Sequence, residues 1–178
     1  MSLQDLYRSC RDNDTSAIDL LLKQNVIPDI YLLNEMIIHN HKNVIDMFLK
    51  YPLIYNINTL NSCVISENDH MFFNVIKTVN PDHSTLLEVL TKGNMKYLDA
   101  LLKKNVNPCI EDVEVLIRSS HVSLEFFIEV FKSCSYSSNK KNNITLLDEE
   151  YMNCNQDIIS FLRQNGFSIQ VISDQKNN

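Results

Sequence analysis

Histidine and cysteine are the residues of this chain that could bind a metal ion or act in catalysis. Two of its five histidines, His39 and His41, stand close together. On one helix, residues two positions apart point about 200° apart, so a shared metal ion is not expected. The five cysteines form no Cys-x-x-Cys pair. In chain order they are Cys10, Cys63, Cys109, Cys134 and Cys154.

Scattered cysteines of this kind indicate reduced, partly buried thiols rather than a disulfide framework. The acidic run Asp148-Glu149-Glu150 could supply a general acid and base, but a solvated helix start explains it more simply. No cysteine has a local nucleophile signature, although a distant histidine partner stays open. We predict a non-enzymatic protein without metal or cofactor. The alternative, a cryptic hydrolase or metal enzyme, would require a bound metal or a cleft with convergent polar groups.

The composition is globular and argues against nucleic-acid and membrane binding. The chain has 178 residues, of which 44% are hydrophobic and 21% charged, which suits one domain or one short repeat array. Its net charge of −6 opposes the neutralisation of phosphates. Gly93 and Gly166 are the only glycines, too few for a phosphate-binding loop. No apolar run approaches about 18 residues and no leader is visible, so we predict an intracellular, cytoplasmic protein.

A repeat of about 27 residues is marked by a basic residue that follows an apolar pair. These basic residues are Lys23, Lys50, Lys77, Lys103, Lys132 and Arg163. The interval between them is nearly constant over the first four and lengthens slightly over the last two. The positions five residues before them are all apolar: Ile18, Ile45, Phe72, Leu98, Phe127 and Ile158. The positions seventeen residues before them are also apolar: Leu6, Leu33, Leu60, Leu86, Val115 and Leu146. Self-similarity at a fixed period is typical of repeat architectures.

Each repeat predicts two helices joined by a tight turn. In its second half, apolar residues at relative positions 0, 3 and 4 form one helical stripe. The N-cap positions nine residues before the basic residues are Asp14, His41, Asn68, Asn94, Ser123 and Cys154. Four of these six are side chains that accept a hydrogen bond from the first free amides of a helix. Two residues after the basic residue, Asn25, Asn105 and Asn165 suit the left-handed conformation that ends a helix. Pro28 and Pro108 then prevent its continuation.

We therefore predict an all-α fold, an α-solenoid of about six degenerate helix–turn–helix repeats that forms a single domain over residues 1–172. One pair of short helices cannot bury its own apolar stripe, whereas stacked pairs form a continuous core. The predicted units are about 3–28, 29–55, 56–81, 82–108, 109–138 and 139–170. The polar stretch 133–143 predicts an inserted loop, and residues 173–178 predict a polar tail.

The clearest unit, from Asp82 to Pro108, resembles the ankyrin repeat family. Its sequence contains Thr85-Leu86-Leu87, then Gly93-Asn94, then Leu98, Leu101-Leu102 and Asn105-Val106. These motifs are similar, in the same order, to the Thr-Pro-Leu-His, Gly-His, Val-x-x-Leu-Leu and Gly-Ala landmarks of the family. The resemblance covers about residues 3 to 168. It places His41 where the family has a structural histidine, which implies a turn-bonding role.

The chain departs from the ankyrin pattern in length and in glycine content. Its period is near 27 residues, whereas that of the family is near 33, so about six residues are missing between the helix pairs. Their loss predicts short loops in place of the projecting hairpins. Asparagine replaces most of the glycines of the family. This glycine-poor, Asn- and Ile-rich composition resembles that of ankyrin proteins from large DNA viruses.

The ankyrin resemblance implies a concave groove lined by the ends of the first helices. The positions that would face it are Arg11, Asp12, Ile38, His39, Ile65, Ser66, Thr91 and Lys92. Polar residues would then flank two exposed isoleucines, as at the centre of a protein interface. An alternative is that Ile38 and Ile65 belong to the core, because the helices are rotated relative to the family.

These patterns predict an intracellular protein–protein interaction module that binds a partner protein on its concave surface. The viral resemblance implies a host protein as the partner, which would be sequestered or inhibited. A self-assembling structural protein is the alternative; apolar outer faces on the end repeats would favour it, because solenoid caps are polar. The sequence leaves the oligomeric state open between monomer and dimer.

Overall fold

The computed structural model describes residues 2–119, 122–134, 143–147 and 154–172, which form eleven helices and two strands. The helices are α1 Leu3–Arg11, α2 Thr15–Lys23, α3 Ile30–Ile38, α4 Lys42–Phe48, α5 Ile57–Ile65, α6 Asp69–Val75, α7 His83–Lys92, α8 Met95–Leu102, α9 Ile110–Ile117, α10 Leu124–Ser133 and α11 Gln156–Gln164. The strands are β1 Asn143–Leu147 and β2 Ser168–Ile172. The fold is mostly helical, as the sequence pattern predicts. Within the described residues, no helix is long and apolar enough to cross a membrane.

The helices follow one another in pairs that keep the spacing of the sequence repeat. The first helices of five pairs begin at residues 3, 30, 57, 83 and 110, and the second helices begin at residues 15, 42, 69, 95 and 124. The first helices therefore start at a nearly constant interval, which is the period of the sequence repeat. Because a helix start depends mainly on local capping and periodicity, this part of the architecture was readable from sequence.

Side-chain caps begin most of the second helices. The side chains of Asp14, Asn68, Asn94 and Ser123 each accept a hydrogen bond from a backbone amide of the first turn, which confirms these four predicted caps. His41 occupies the N-cap of α4 without a side-chain capping bond. In α11 the N-cap is Asn155, so the predicted position, Cys154, is wrong by one residue.

Left-handed residues end the helices, and asparagine supplies most of them. Asn25 and Asn105 have φ angles of 62° and 61°, as predicted. The amides of Asn25 and Val26 donate to carbonyls of the last turn of α2, the two bonds of a Schellman motif. Asn165 has a φ of −93° instead, and Gly166 takes the left-handed position with a φ of 83°. Glycine adopts this conformation without a steric penalty, so it displaces asparagine where both are present.

The chain divides into two compact units, of which the first is residues 1–85. In this unit the helices of each pair pack on each other: α1 on α2, α3 on α4, and α5 on α6. Successive pairs are stacked, because α3 packs on α5 and α2 packs on α4. The core between them is built from the repeat positions, including Leu6, Ile18, Leu33, Ile45 and Phe72, all at most 3% exposed. Burial of these apolar stripes stabilises the stack.

Polar side chains also join the first helices of neighbouring pairs in this unit. The Tyr7 hydroxyl donates to the Asp29 carboxylate at 2.9 Å. Asn61 occupies the matching position of α5, and its amide nitrogen donates to Ser84 Oγ at 3.1 Å while its oxygen accepts from Thr85 Oγ1 at 2.7 Å. These bonds fix the register between successive pairs.

The second unit, residues 86–178, combines helices with a small sheet. Helix α10 packs on α8, α9 and α11, and α11 packs on β2. The two strands pair in parallel, with Asn143 opposite Ser168 and Leu147 opposite Ile172. Phe131 lies at the centre of an aromatic cluster in which its ring centroid is 5.4 Å from that of Phe161.

The strand β1 contradicts the predicted first helix of the sixth repeat. Leu146, predicted on a helix, lies on β1. Ile144 and Leu146 are buried and Thr145 between them is exposed, the alternation of a half-buried strand. Of the predicted inserted loop, Ser133 ends α10 and Asn143 begins β1, whereas residues 135–142 lie outside the described residues. The acidic run 148–150 and the tail 173–178 also lie outside them.

The fifth repeat contains a second correction. Val115, an apolar member of the repeat column, is 48% exposed, and Val113 is buried in its place. The connection from the C-cap of α9, Arg118, to the N-cap of α10, Ser123, is longer than the matching connection from Asp12 to Asp14. Because this connection is longer, the residue seventeen positions before Lys132 is Val115, which lies on the exposed face of α9.

Candidate functional site

The candidate surface of unit 1 lies where its three first helices end. Arg11, Ile38 and Ile65 are the last residues of α1, α3 and α5, and each is followed by the C-cap residue of its helix. We call this set the turn strip; its members are Arg11, Asp12, Ile38, His39, Ile65 and Ser66. Because the three helices start at equal intervals along the chain, the strip repeats one structural position three times.

The two isoleucines of the turn strip are exposed. Ile38 is 43% exposed and Ile65 is 37% exposed, so the interpretation that both belong to the core is wrong. The residues before them, Ile37 and Val64, are fully buried. A rotation of about 100° per residue turns the next side chain away from the core, which explains why adjacent apolar residues differ in burial.

The polar members of the turn strip differ in exposure and in hydrogen bonding. Arg11, Asp12 and His39 are exposed, whereas Ser66 is half-buried. The Ser66 hydroxyl donates to the Ser62 carbonyl oxygen at 2.8 Å, a bond back onto its own helix. The strip therefore presents two apolar side chains with polar residues beside them.

Thr91 and Lys92 hold the matching positions of α7, in unit 2. Both are exposed, and the Thr91 hydroxyl donates to the Leu87 carbonyl oxygen at 2.9 Å. Lys92 is the last residue of the helix, where a positive charge interacts favourably with the helix dipole. Their exposure agrees with a surface role, and a structural role at the helix end accounts for the charge of Lys92 as well.

A cleft with a volume of about 400 Å³ opens beside the turn strip in unit 1. Its charged walls are Lys42 and Asp46 of α4, Glu67 of the turn after α5, and Asp69 of α6. We call this feature the acidic cleft. It adjoins the strip through the backbone, because Glu67 follows Ile65 by two residues. Sequence reasoning did not single out these carboxylates, because the cleft forms only when α4 and α6 are neighbours.

Glu67 has a backbone conformation that its residue type disfavours. Its φ is 53°, in the left-handed region, where Asn13 and Asn40 hold the matching turns with φ angles of 53° and 56°. A β-carbon next to the following carbonyl makes this region costly for most residues, and asparagine tolerates it better. A glutamate among asparagines at one repeat position was the sequence signal that could have indicated this site.

His39 and His41 lie closer together than the helical prediction allowed. His39 is the C-cap of α3 and His41 the N-cap of α4, so they stand on either side of a tight turn and not on one helix. Their ring centroids are 6.0 Å apart, edge to face. His41 Nδ1 is 3.1 Å from Asn13 Oδ1, which is the turn-bonding contact that the resemblance implied. Among the described residues, no cysteine or carboxylate completes a three-ligand metal site with this pair.

None of the five cysteines, all within the described residues, forms a disulfide, and burial favours the thiol form of four of them. Burial raises the pKa of Cys10, Cys63 and Cys134 to about 12, and it also raises that of Cys109. A thiolate is the nucleophilic form, so these groups are unreactive near neutral pH. Cys134 Sγ donates to the Cys109 carbonyl oxygen at 3.3 Å, a structural contact within unit 2.

No protein-family model, no curated protein and no solved structure matches this chain. The ankyrin resemblance therefore depends on the motifs of the sequence and stays a prediction.

Proposed function

We propose that this chain is a non-enzymatic, ankyrin-like α-solenoid that binds a partner protein through the turn strip. The observation that carries the proposal is the exposure of Ile38 and Ile65 at one repeated position. Apolar side chains beside polar ones, repeated along a stack of helices, form the type of surface that protein partners bury. The stacked helix pairs of unit 1 support the proposal because they hold the strip on rigid elements.

The chemistry of the chain supports a protein partner rather than a nucleic acid. With a net charge of −6, its long-range field repels a phosphate backbone. The thiols of Cys10 and Cys63 are unreactive near neutral pH, so they do not support a role as nucleophiles. Among the described residues, His39 and His41 have no third metal ligand beside them, so this pair does not support metal catalysis. The ankyrin resemblance extends the proposal to an intracellular protein, with a host protein as partner if the chain is viral.

The proposal is tested by capture from cell lysate with a matched pair of double variants. Ile38→Asp/Ile65→Asp places two charges on the turn strip. Ile27→Asp/Ile54→Asp is the control, because these isoleucines are 62% and 87% exposed at loop positions of the same unit. All three proteins are first shown to have the same circular dichroism spectrum and melting temperature, so that a lost partner reports the surface and not the fold.

We expect a partner that wild type and the loop control retain and that the strip variant loses at least tenfold, because burying an unpaired carboxylate at an interface is costly. A partner lost only with the loop control would move the binding surface to the loops and refute the turn strip. If wild type captures nothing and its solution mass exceeds 20.7 kDa, the self-assembling alternative replaces the proposal.

A further inference from the structure

The turn strip and the acidic cleft are continuous in unit 1. Ile38 precedes Asn40 by two residues, and Ile65 precedes Glu67 by two residues. Asn40 and Glu67 both line the cleft, so each isoleucine leads along the backbone into its wall. A partner segment that lies on the turn strip therefore passes beside the opening of the acidic cleft. Its side chains would contact an apolar surface on the strip and a charged surface in the cleft.

The charge of the cleft determines which side chains it favours. Asp46, Glu67 and Asp69 supply three carboxylates, whereas Lys42 supplies one ammonium group. Because carboxylates outnumber ammonium groups in this lining, the cleft favours a cation over a carboxylate. Arginine and lysine of a partner are complementary to such a cleft, because they donate charge-assisted hydrogen bonds to carboxylates.

The cleft is large enough to accept one long side chain. A volume of about 400 Å³ accepts a guanidinium or ammonium group together with the methylene groups that carry it. Ile45 and Met71 also line the cleft, but both side chains are almost fully buried and expose little apolar surface there. An acidic side chain in this cleft would bring like charges together.

We propose that the turn strip binds a segment of a partner protein in which an arginine or lysine flanks aliphatic side chains. The aliphatic side chains cover Ile38 and Ile65, and the cation enters the acidic cleft. This inference rests on the proposed function and deepens it by naming the chemical class of the partner segment.

The test is the selection of a random dodecapeptide library, displayed on phage, on the wild-type protein. Peptides that also bind Ile38→Asp/Ile65→Asp are removed. The dissociation constants of the remaining peptides are then measured by fluorescence anisotropy for wild type and for two charge variants. Asp46→Asn/Glu67→Gln neutralises the cleft, and Asp19→Asn/Asp99→Asn neutralises two exposed carboxylates outside it. Glutamine at position 67 preserves the side-chain length, and all variants are first shown by circular dichroism to have the melting temperature of wild type.

We expect peptides rich in Arg or Lys beside Leu, Ile or Val, with affinities that fall at least tenfold for the cleft variant and less than threefold for the control variant. Raising the salt concentration should weaken binding to wild type more than to the cleft variant. Strip-dependent peptides that are acidic or uncharged, and that the cleft variant still binds, would overturn this inference while the proposed function stands. Selection of no strip-dependent peptide would count against the proposed function itself.

Discussion

Single residues determine where the backbone of this chain is strained and where apolar side chains are exposed. The three turns that follow the first helices of unit 1 each have a left-handed residue at the same repeat position; it is asparagine in two of them and Glu67 in the third. Two residues before this position, the first turn has Arg11, whereas the other two turns have isoleucine, Ile38 and Ile65. The same two turns therefore hold the exposed apolar residues, and the strained glutamate follows one of them.

Exchange of asparagine and glutamate tests the strain at this turn position. We expect Glu67→Asn to raise the free energy of unfolding by about 0.5–1 kcal/mol, because asparagine tolerates a positive φ better than glutamate. Asn40→Glu, at the matching turn, should lower it by a similar amount. Urea unfolding followed by circular dichroism measures both. Equal stabilities for the two variants would show that the left-handed conformation does not limit stability here.

Tyr7 predicts a loss of stability at alkaline pH. Burial and the hydrogen bond to Asp29 raise the pKa of the Tyr7 hydroxyl from 10.0 to about 12. The unfolded chain therefore releases this proton above pH 10 while the folded chain retains it, so stability falls as pH rises from about 10 to about 12. Buried thiols add a decline of the same sign. Tyr7→Phe should reduce the slope of unfolding free energy against pH in this window, and an unchanged slope would contradict the assignment.

At the scale of the elements, local capping determines the helices and long-range pairing determines the sheet. The starts and ends of the helix pairs depend on residues within a few positions, such as Asp14, Asn68 and Asn25. In contrast, Ile144 pairs with Ile169, which lies beyond the whole of α11 in the sequence. The repeat spacing predicted a helix at residues 143–147, although the alternation of apolar and polar residues there is typical of a strand. For this segment, its own residue pattern indicates the secondary structure better than the spacing of the other repeats does.

The buried face of β1 provides the test of this element. Leu146 is 1% exposed, so Leu146→Ala should lower the free energy of unfolding by about 2–4 kcal/mol through lost burial and the cavity that remains. Thr145 is the exposed neighbour, and Thr145→Ala should change it by less than about 0.5 kcal/mol. Urea unfolding measures both. In a strand Ile144 and Leu146 lie on the same buried face, so Ile144→Ala should be about as costly as Leu146→Ala, whereas in a helix the two side chains would point about 200° apart and only one of them would be costly to truncate.

At the scale of the whole molecule, charge limits the classes of partner. The chain carries 22 acidic and 16 basic side chains, and its pI is near 5.3. The two units are each compact, and the turn strip with its acidic cleft lies entirely in the first. This distribution favours the proposed basic or apolar protein segment over a polyanion.

The net charge predicts that the protein does not bind DNA. A fluorescent duplex titrated with the protein to about 10 µM, in about 50 mM salt, should show no change in anisotropy, because non-specific binding depends on clustered Lys and Arg. Low salt favours any electrostatic attraction, so the condition is a stringent one. Binding that weakened steeply with added salt would reveal a basic surface and contradict the assignment of a protein partner.

The sequence by itself determined the period, the helix pairs and most of their caps, because these features depend on residues close together along the chain. It also placed Ile38 and Ile65 at one repeated position, but left their exposure open, since an apolar side chain suits a core equally well. Only the tertiary structure decided that exposure, through the rotation of α3 and α5 on their neighbours. It likewise brought Asp46 and Glu67, which belong to different helix pairs, to one cleft, and paired β1 with β2. Such contacts depend on which elements meet in space, and no local pattern specifies that choice.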